Sequence, residues 1–246
     1  MSRAVLVTGG SRGIGAAIAR AFAGAGDRVA VHYGASREGA EGVAGSLPGD
    51  GHVVVGADLA DAEAVRAMIE RAAEALGGID VLVNNAGVFI RHPIAETSYE
   101  EWQRAWADTL AVNLVGAANA TWCAVRHMAR GGRIVNVSSR GAFRGEPDQP
   151  AYGASKAALV AFSQSLARAL GPQGIAVTAV APGWTETDMA AERMAARGAE
   201  IRAESPLGRV ATPAEVAAAV LYLASPEAEM ASGTVLDVNG ASFLRM

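Results

Sequence analysis

The sequence predicts a doubly wound α/β domain built on a parallel sheet, and three observations predict it. Short β-branched runs alternate with alanine-rich stretches of helical length along the whole chain. The runs are apolar throughout, which is the pattern of strands buried on both faces. A glycine-rich turn joins the first run to the first helical stretch. Right-handed crossovers between successive parallel strands then place helices on both faces of the sheet.

Ala4-Val-Leu-Val-Thr8 reads as the first strand, and residues 14–25 as a helix stopped by Gly26. Residues 28–32 form the second strand and Val53-Val-Val-Gly-Ala57 the third, followed by a helix over 62–76. Asp80-Val-Leu-Val-Asn84 is the fourth strand. A long helical region covers 99–129, with a break near Thr109. Arg133-Ile-Val-Asn-Val137 is the fifth strand, and a helix covers 151–170. Ile175-Ala-Val-Thr-Ala-Val180 is the sixth strand, residues 213–224 are helical, and Thr234-Val-Leu-Asp-Val238 is the last strand. No linker, repeat or low-complexity tract divides residues 1–246, so a single domain is expected. The polar, poorly patterned stretch 189–206 reads either as a lid or as a surface helix.

Composition narrows the partners. The chain has 246 residues, 51% of them hydrophobic and 19% charged, with a net charge of -4. That length supports one large core. No basic run points to nucleic acid, and no apolar stretch is long enough to span a bilayer. The N-terminal residues lack the apolar region and cleavage site of a signal peptide. The single cysteine, Cys123, lies in an apolar helical stretch and reads as core packing; one cysteine permits no internal disulfide. The expectation is a cytoplasmic protein that takes a small molecule and no metal. Of the 21 lysines and arginines, only Lys156 is a lysine.

Thr8-Gly-Gly-Ser-Arg-Gly-Ile-Gly15 leads from strand to helix. Gly9, Gly13 and Gly15 let the backbone turn tightly beside a pyrophosphate, and Ser11, Arg12 and Ile14 complete the turn. The second strand ends in His32-Tyr33-Gly34, without the acidic residue that marks an NAD site. Ser36 and Arg37 follow, and together with Arg12 they suit a 2′-phosphate, so the reading is NADP(H). Asp58 either meets the adenine amino group or caps the next helix. Asn84-Asn85-Ala86-Gly87 ends the fourth strand in small residues that let the backbone approach a cofactor. The expected cofactor site also takes in Tyr33 and Leu59.

Tyr152 and Lys156 are four residues apart near a helix start and share a face. A phenol with pKa near 10 is a poor acid/base at neutral pH, and a nearby ammonium favours its phenolate. Such a pair exchanges a proton with a carbonyl or alcohol oxygen. Chance would place the lone lysine four after a tyrosine about two times in a hundred, which limits the risk of a spurious match.

These motifs, with Asn113, Ser138-Ser139 and Pro182-Gly183, occur in order over nearly the whole chain. Together they resemble the short-chain dehydrogenase/reductase family. The resemblance implies a single Rossmann-like domain with a seven-stranded parallel sheet, usually in a homotetramer. It implies that Tyr152 is the general acid/base and that Lys156 lowers its pKa and binds the nicotinamide ribose. Ser139 then holds the substrate oxygen, Ser138 is structural, and Asn113 holds a water of the proton relay. Pro182-Gly-Trp-Thr-Glu-Thr187 resembles the segment touching the carboxamide, with Thr185 and Thr187 nearest. Within the family, Pro182 to Met189 and Pro206-Leu-Gly-Arg209 look like 3-oxoacyl-(acyl-carrier-protein) reductases. Arg130 matches a position used there to dock the carrier protein, while Gln173 stands where a second arginine is expected. Arg140 and Arg144 lie near Ser139 and either meet an anionic substrate or serve packing; Phe143 and Trp184 either wall the substrate pocket or serve packing. The alternatives are an alcohol, sugar or steroid dehydrogenase, or a nucleotide-binding regulator without turnover.

Overall fold

The computed structural model describes residues 2–245; the two terminal methionines of the expected domain lie outside the described residues. Seven strands form one sheet: β1 (Ala4–Val7), β2 (Arg28–Tyr33), β3 (Val53–Gly56), β4 (Val81–Asn84), β5 (Arg133–Val137), β6 (Ala176–Pro182) and β7 (Val235–Val238). Their order is β3-β2-β1-β4-β5-β6-β7 and every neighbouring pair is parallel. The expected single Rossmann-like domain is present.

Strand alternation divides the core into two layers. Val5 and Val7 of β1 pack on one face with Phe22 of α1 (Gly13–Gly24), Val43 of α2 (Arg37–Gly45) and Val220 of α9 (Pro213–Leu223). Ala4 and Leu6 point the other way, toward Met68 and Ile69 of α3 (Ala62–Leu76), Ala120 of α5 (Ala117–Ala124) and Leu170 of α7 (Pro150–Leu170). The single cysteine, Cys123, is buried in this second layer.

Local chemistry fixes the helix ends. Asp61, not Asp58, caps α3: its Oδ1 accepts the Glu63 and Ala64 N–H groups at 2.9 and 3.1 Å. Ser98 with Glu101 and Thr212 with Glu215 form capping boxes that start α4 (Tyr99–Leu110) and α9. The expected break near Thr109 is a π-helical segment, Ala111–Gly116, between α4 and α5. Two helices escape sequence reading. α2 is short and rich in glycine, and α6 (Gly141–Arg144) is a single turn. The 189–206 stretch is largely helical: α8 (Asp188–Ala203) is kinked at Arg197, whose φ is -138°.

A buried polar chain ties the sheet to α7. Asn84 Nδ2 donates to Asn136 Oδ1 at 2.8 Å, and Asn136 Nδ2 donates to Ser163 Oγ at 2.8 Å. Replacing Asn136, which is fully buried, removes both links. Asn136→Ala is expected to lose about 1–3 kcal/mol in urea unfolding. A loss under about 0.5 kcal/mol, ordinary for an exposed site, would remove the chain from the account of the fold.

Candidate active site

Parallel strands bring their carboxyl ends to one edge, and the crevice of such a sheet opens where the strand order reverses, here between β1 and β4. A cleft of about 820 Å³ runs there.

At one end lies the glycine loop. Thr8 Oγ1 accepts the Asn85 and Ala86 N–H groups at 2.9 and 3.1 Å. Asn85 Nδ2 returns hydrogen bonds to the carbonyls of Thr8 and Gly9 at 2.9 and 3.2 Å. From the other side, His32 Nδ1 accepts the Gly9 N–H at 3.0 Å. The loop leaves no room for side chains. A Cβ on Gly15 would lie 2.1 Å from the Gly9 carbonyl oxygen, and one on Gly9, whose φ is +64°, would lie 2.9 Å from Ala86 Cα. No side chain caps the start of α1, so the first-turn N–H groups of Gly13, Ile14 and Gly15 face the cleft as donors for an anion. A bare backbone cradle with free donors fits a dinucleotide pyrophosphate.

At the other end Tyr152 and Lys156 enter from the first turns of α7. Lys156 is 4% exposed, and its Nζ donates to the Val137 carbonyl at 2.8 Å. The ammonium lies 5.8 Å from the centre of the Tyr152 ring and 3.5 Å from the place a Gly87 Cβ would take. Burial lowers its pKa to about 8. Burial pushes the Tyr152 phenol up to about 12; a hydrogen bond with Ser139 opposes the rise and the Glu146 charge adds to it. The phenolate-favouring environment expected from the sequence is therefore not built by the chain alone. The ammonium is committed to a carbonyl, and the carboxylate beside the phenol opposes ionisation. Ser138 Oγ donates to the Lys156 carbonyl at 2.8 Å and is structural.

All of the expected site residues line this cleft except three. Tyr33 follows His32, so strand alternation turns its ring away, to lie against Gly56. Arg37 opens α2 and pairs with Glu41 one turn later at 2.8 Å, both side chains exposed. Asn113, on the π-helical segment, is buried behind the cleft. Its Oδ1 accepts the Val88 N–H at 2.8 Å, and its Nδ2 donates to the Val88 carbonyl and Ser155 Oγ at 3.0 and 3.1 Å. Asp58 lines the cleft while its Oδ1 accepts the Ala60 N–H at 2.9 Å.

The structure also divides the residues left open near Ser139. Arg140 reaches the cleft wall but is buried, with an ion pair at 2.6 Å to Glu204, the residue that caps α8, and a hydrogen bond to Ser242 Oγ at 2.6 Å, so its charge is taken up within the protein. Arg144 shares Glu204 at 3.2 Å. Trp184 lines the cleft, whereas Phe143 packs outside it beneath Arg245. Sequence reading missed Phe89, whose ring meets Tyr152 edge-on at 4.6 Å, and Glu146, a largely buried carboxylate in the cleft wall. It also missed His32, which reads as one more member of a buried strand. No spacing or motif marks any of the three.

Comparison with known proteins adds the family. A family model described as Enoyl-(Acyl carrier protein) reductase matches residues 9–241. The 3-oxoacyl-(acyl-carrier-protein) reductase FabG of Aquifex aeolicus is 40% identical over 97% of this chain and 96% of its own length. The cis-4-hydroxycyclohexanecarboxylate dehydrogenase of Sinomonas cyclohexanicum is 40% identical over 97% of this chain and 95% of its own. A short-chain dehydrogenase from Burkholderia cenocepacia, solved in complex with NADP, superposes with a TM-score of 0.88 at 40% identity. That match covers 98% of this chain and 97% of that one. The chain belongs to the short-chain dehydrogenase/reductase family. It is an oxidoreductase of the class acting on CH–OH and C=O groups.

The depressed Lys156 pKa carries a cost to folding. The buried site disfavours the ammonium, so the folded chain loses this proton near pH 8 and the unfolded chain only near 10.5. The penalty is full below pH 8 and fades as pH rises from 8 to 10.5. Its size is about 3 kcal/mol at 1.36 kcal/mol per pKa unit, offset by about 1 kcal/mol for the Val137 hydrogen bond. Lys156→Met is thus expected to be more stable than the wild type at pH 7, by about 2 kcal/mol. The gap should narrow by pH 9.5. A variant less stable than wild type at pH 7 in thermal unfolding would show that the ammonium is not under this strain.

Proposed function

We propose that the protein is an NADP(H)-dependent ketoreductase of the 3-oxoacyl-(acyl-carrier-protein) reductase type. The observation that carries this reading is a backbone cradle and a buried Tyr152–Lys156 pair at opposite ends of one cleft. The cradle of Gly9, Gly13 and Gly15 would hold the pyrophosphate, and Lys156 the nicotinamide ribose. When bound, the nicotinamide supplies or accepts a hydride.

The chain's own residues do the proton chemistry. Ser139 holds the substrate oxygen, and Tyr152 gives it a proton as the carbonyl is reduced. The phenol, held up at about 12, carries the proton it would give at neutral pH. Asn113 ties Val88 to Ser155, the residue before Lys156 on α7. α8 serves as a lid: Glu204 anchors its far end to Arg140 and Arg144, and the kink at Arg197 separates that anchor from the cleft-lining residues Asp188, Met189 and Ala190.

Arg12 lines the cleft, and its pairing with Asp188 is long, 3.5 Å, and largely exposed to water. Such a pair is weak, so the guanidinium is available to a 2′-phosphate. Arg37 pairs with Glu41 at 2.8 Å, also on the surface and also weak, and would turn to reach the same phosphate. Arg130 is exposed beside the 171–174 turn, its guanidinium 3.4 Å from the Pro172 carbonyl, in reach of an acidic carrier. A small alcohol dehydrogenase is the second reading, favoured by the equal identity to the Sinomonas enzyme. Trp122 and Val115 stay exposed around α5, and Tyr222 and Met230 stay exposed around α9. Two such surfaces suit a homotetramer, which needs two interfaces. A cytoplasmic location fits these parts.

Three outcomes are expected. NADPH should be preferred over NADH in kcat/KM. Arg12→Ala should weaken NADPH more than NADH, by up to about 1.5–3 kcal/mol for a hydrogen bond to a charged group, and more than Arg37→Ala does. Equal turnover with NADH refutes the preference. Acetoacetyl thioesters should be reduced; turnover of simple ketones or alcohols alone would hand the assignment to the second reading. Lys156→Arg should fold and retain under about a tenth of wild-type kcat, a loss above about 1.4 kcal/mol. A planar guanidinium cannot take the place of a compact ammonium between the Val137 carbonyl and Gly87. Tyr152→Phe should be at least as damaging, since it leaves no proton donor. A folded Lys156→Arg enzyme with more activity would refute the catalytic pair.

A further inference from the structure

One buried titratable group in the cleft has no part in the reaction. His32, at 1% exposure, lies near the carboxyl end of β2 and lines the cleft beside the glycine loop. Both ring nitrogens are engaged. Nδ1 lies 3.0 Å from the Gly9 amide, and Nε2 lies 3.1 Å from the Ala57 carbonyl oxygen just beyond β3. A backbone N–H only donates and a carbonyl only accepts, so the two partners select one state of the ring: neutral, with the proton on Nε2. The His32 carbonyl adds a third link, accepting the Gly10 N–H at 2.8 Å. Across the loop, Asn85 holds the Gly9 carbonyl at 3.2 Å. Gly9 is therefore gripped by its N–H from β2 and by its C=O from the end of β4.

We propose that His32 is a positioning residue for cofactor binding: its neutral ring pins the glycine loop to the ends of β2 and β3, and cofactor affinity falls when the ring is protonated. The inference rests on the NADP(H) reading above. A protonated ring sets an Nδ1–H against the Gly9 N–H, two donors with no acceptor between them. The loop cannot yield toward β4, because Gly9 is already packed against Ala86 and held by Asn85. Burial lowers the histidine pKa from its ordinary 6.5, with the Ala57 carbonyl acting against the shift. The ring is thus neutral and competent at pH 7, and the pin fails only in acid.

The charged and titratable groups on the surrounding segments are engaged elsewhere. Arg12 in the glycine loop faces Asp188, and Arg37 at the start of α2 faces Glu41. Tyr33 on the same strand lies against Gly56. Asp58 after β3 accepts the Ala60 N–H, and Asp61 caps α3. β1 and the 84–87 segment carry no titratable side chain. None of these groups is hydrogen-bonded to the imidazole.

The test is the dissociation constant of NADP+, read by tryptophan fluorescence on wild type, His32→Phe and His32→Gln at pH 8 and at the acid pH where the NMR titration below shows the His32 ring charged. The 2′-phosphate of the ligand titrates in the same range, so the quantity to read is the variant-to-wild-type ratio at each pH. His32→Phe fills the space without hydrogen bonds and should bind about tenfold more weakly at pH 8. The ratio should shrink at the lower pH, where the wild type has also lost its pin. His32→Gln offers both an acceptor and a donor and should stay within about threefold of wild type. A His32→Phe ratio under about twofold at pH 8, a ratio that does not change with pH, or a glutamine variant as weak as phenylalanine would each overturn the proposal. Nitrogen-15 NMR of the wild-type histidines tests the pin without ligand, even if the variants fail to fold. A proton on Nδ1, or a charged His32 ring at pH 7, overturns the proposal. Failure of the wild type to bind NADP+ while the Nε2–H state is seen would fault the cofactor reading instead.

Discussion

An all-parallel sheet sends every strand's carboxyl end to the same edge, and the rest of this molecule depends on that constraint. Each strand must be followed by a crossover that returns the chain to the start of the next. The segments leaving β1 to β6 therefore emerge side by side. The glycine loop follows β1, His32 ends β2, Asp58 follows β3, Asn85 follows β4, Ser139 follows β5, and Pro182 ends β6. The glycine loop and the Tyr152–Lys156 pair, from distant parts of the chain, share one cleft because the strands leave no other place for them.

That edge gathers groups whose burial is costly, and the costs are met by specific partners. The ammonium of Lys156 is taken from water and given one carbonyl, at Val137, as its hydrogen-bond partner. The Arg140 guanidinium is nearly as buried, and Glu204 and Ser242 compensate it. The two cations differ in kind. Arg140 has a charged partner and serves structure, while Lys156 has only a neutral one and keeps the strain that a functional site stores. Burial of the Tyr152 phenol beside Glu146 costs little while it is neutral and would cost more only on ionisation.

The glycine loop shows how a short motif depends on residues far outside it. Gly9 and Gly15 permit the close turn, but permission does not hold a loop still. Thr8 and Asn85 tie it to β4, and His32 ties it to β2 and β3. The cradle is rigid because three strands contribute to it, and that rigidity lets backbone N–H groups act as a preformed anion site.

The sequence by itself determined the seven strands, most of the helices, the glycine cradle and the Tyr152–Lys156 pair. These rest on local chemistry: apolar runs, the i to i+4 spacing of a helix, and the one residue type without a Cβ. The short α2 and α6 escaped it because a few residues of helix lack a full hydrophobic period, and α8 was left between lid and surface helix because its polar residues give a weak one. Only the tertiary structure decided which way side chains face. Arg37, expected at the cofactor, pairs on the surface of α2 with Glu41, a partner one turn away that only the folded helix brings within reach. Tyr33 and His32 are adjacent in the chain, yet strand alternation sends one to Gly56 and the other to the glycine loop. Whether Arg140 met a ligand or served packing waited on Glu204, which lies 64 residues along the chain. Such pairings depend on distances in space between residues far apart in sequence, and no local pattern encodes them.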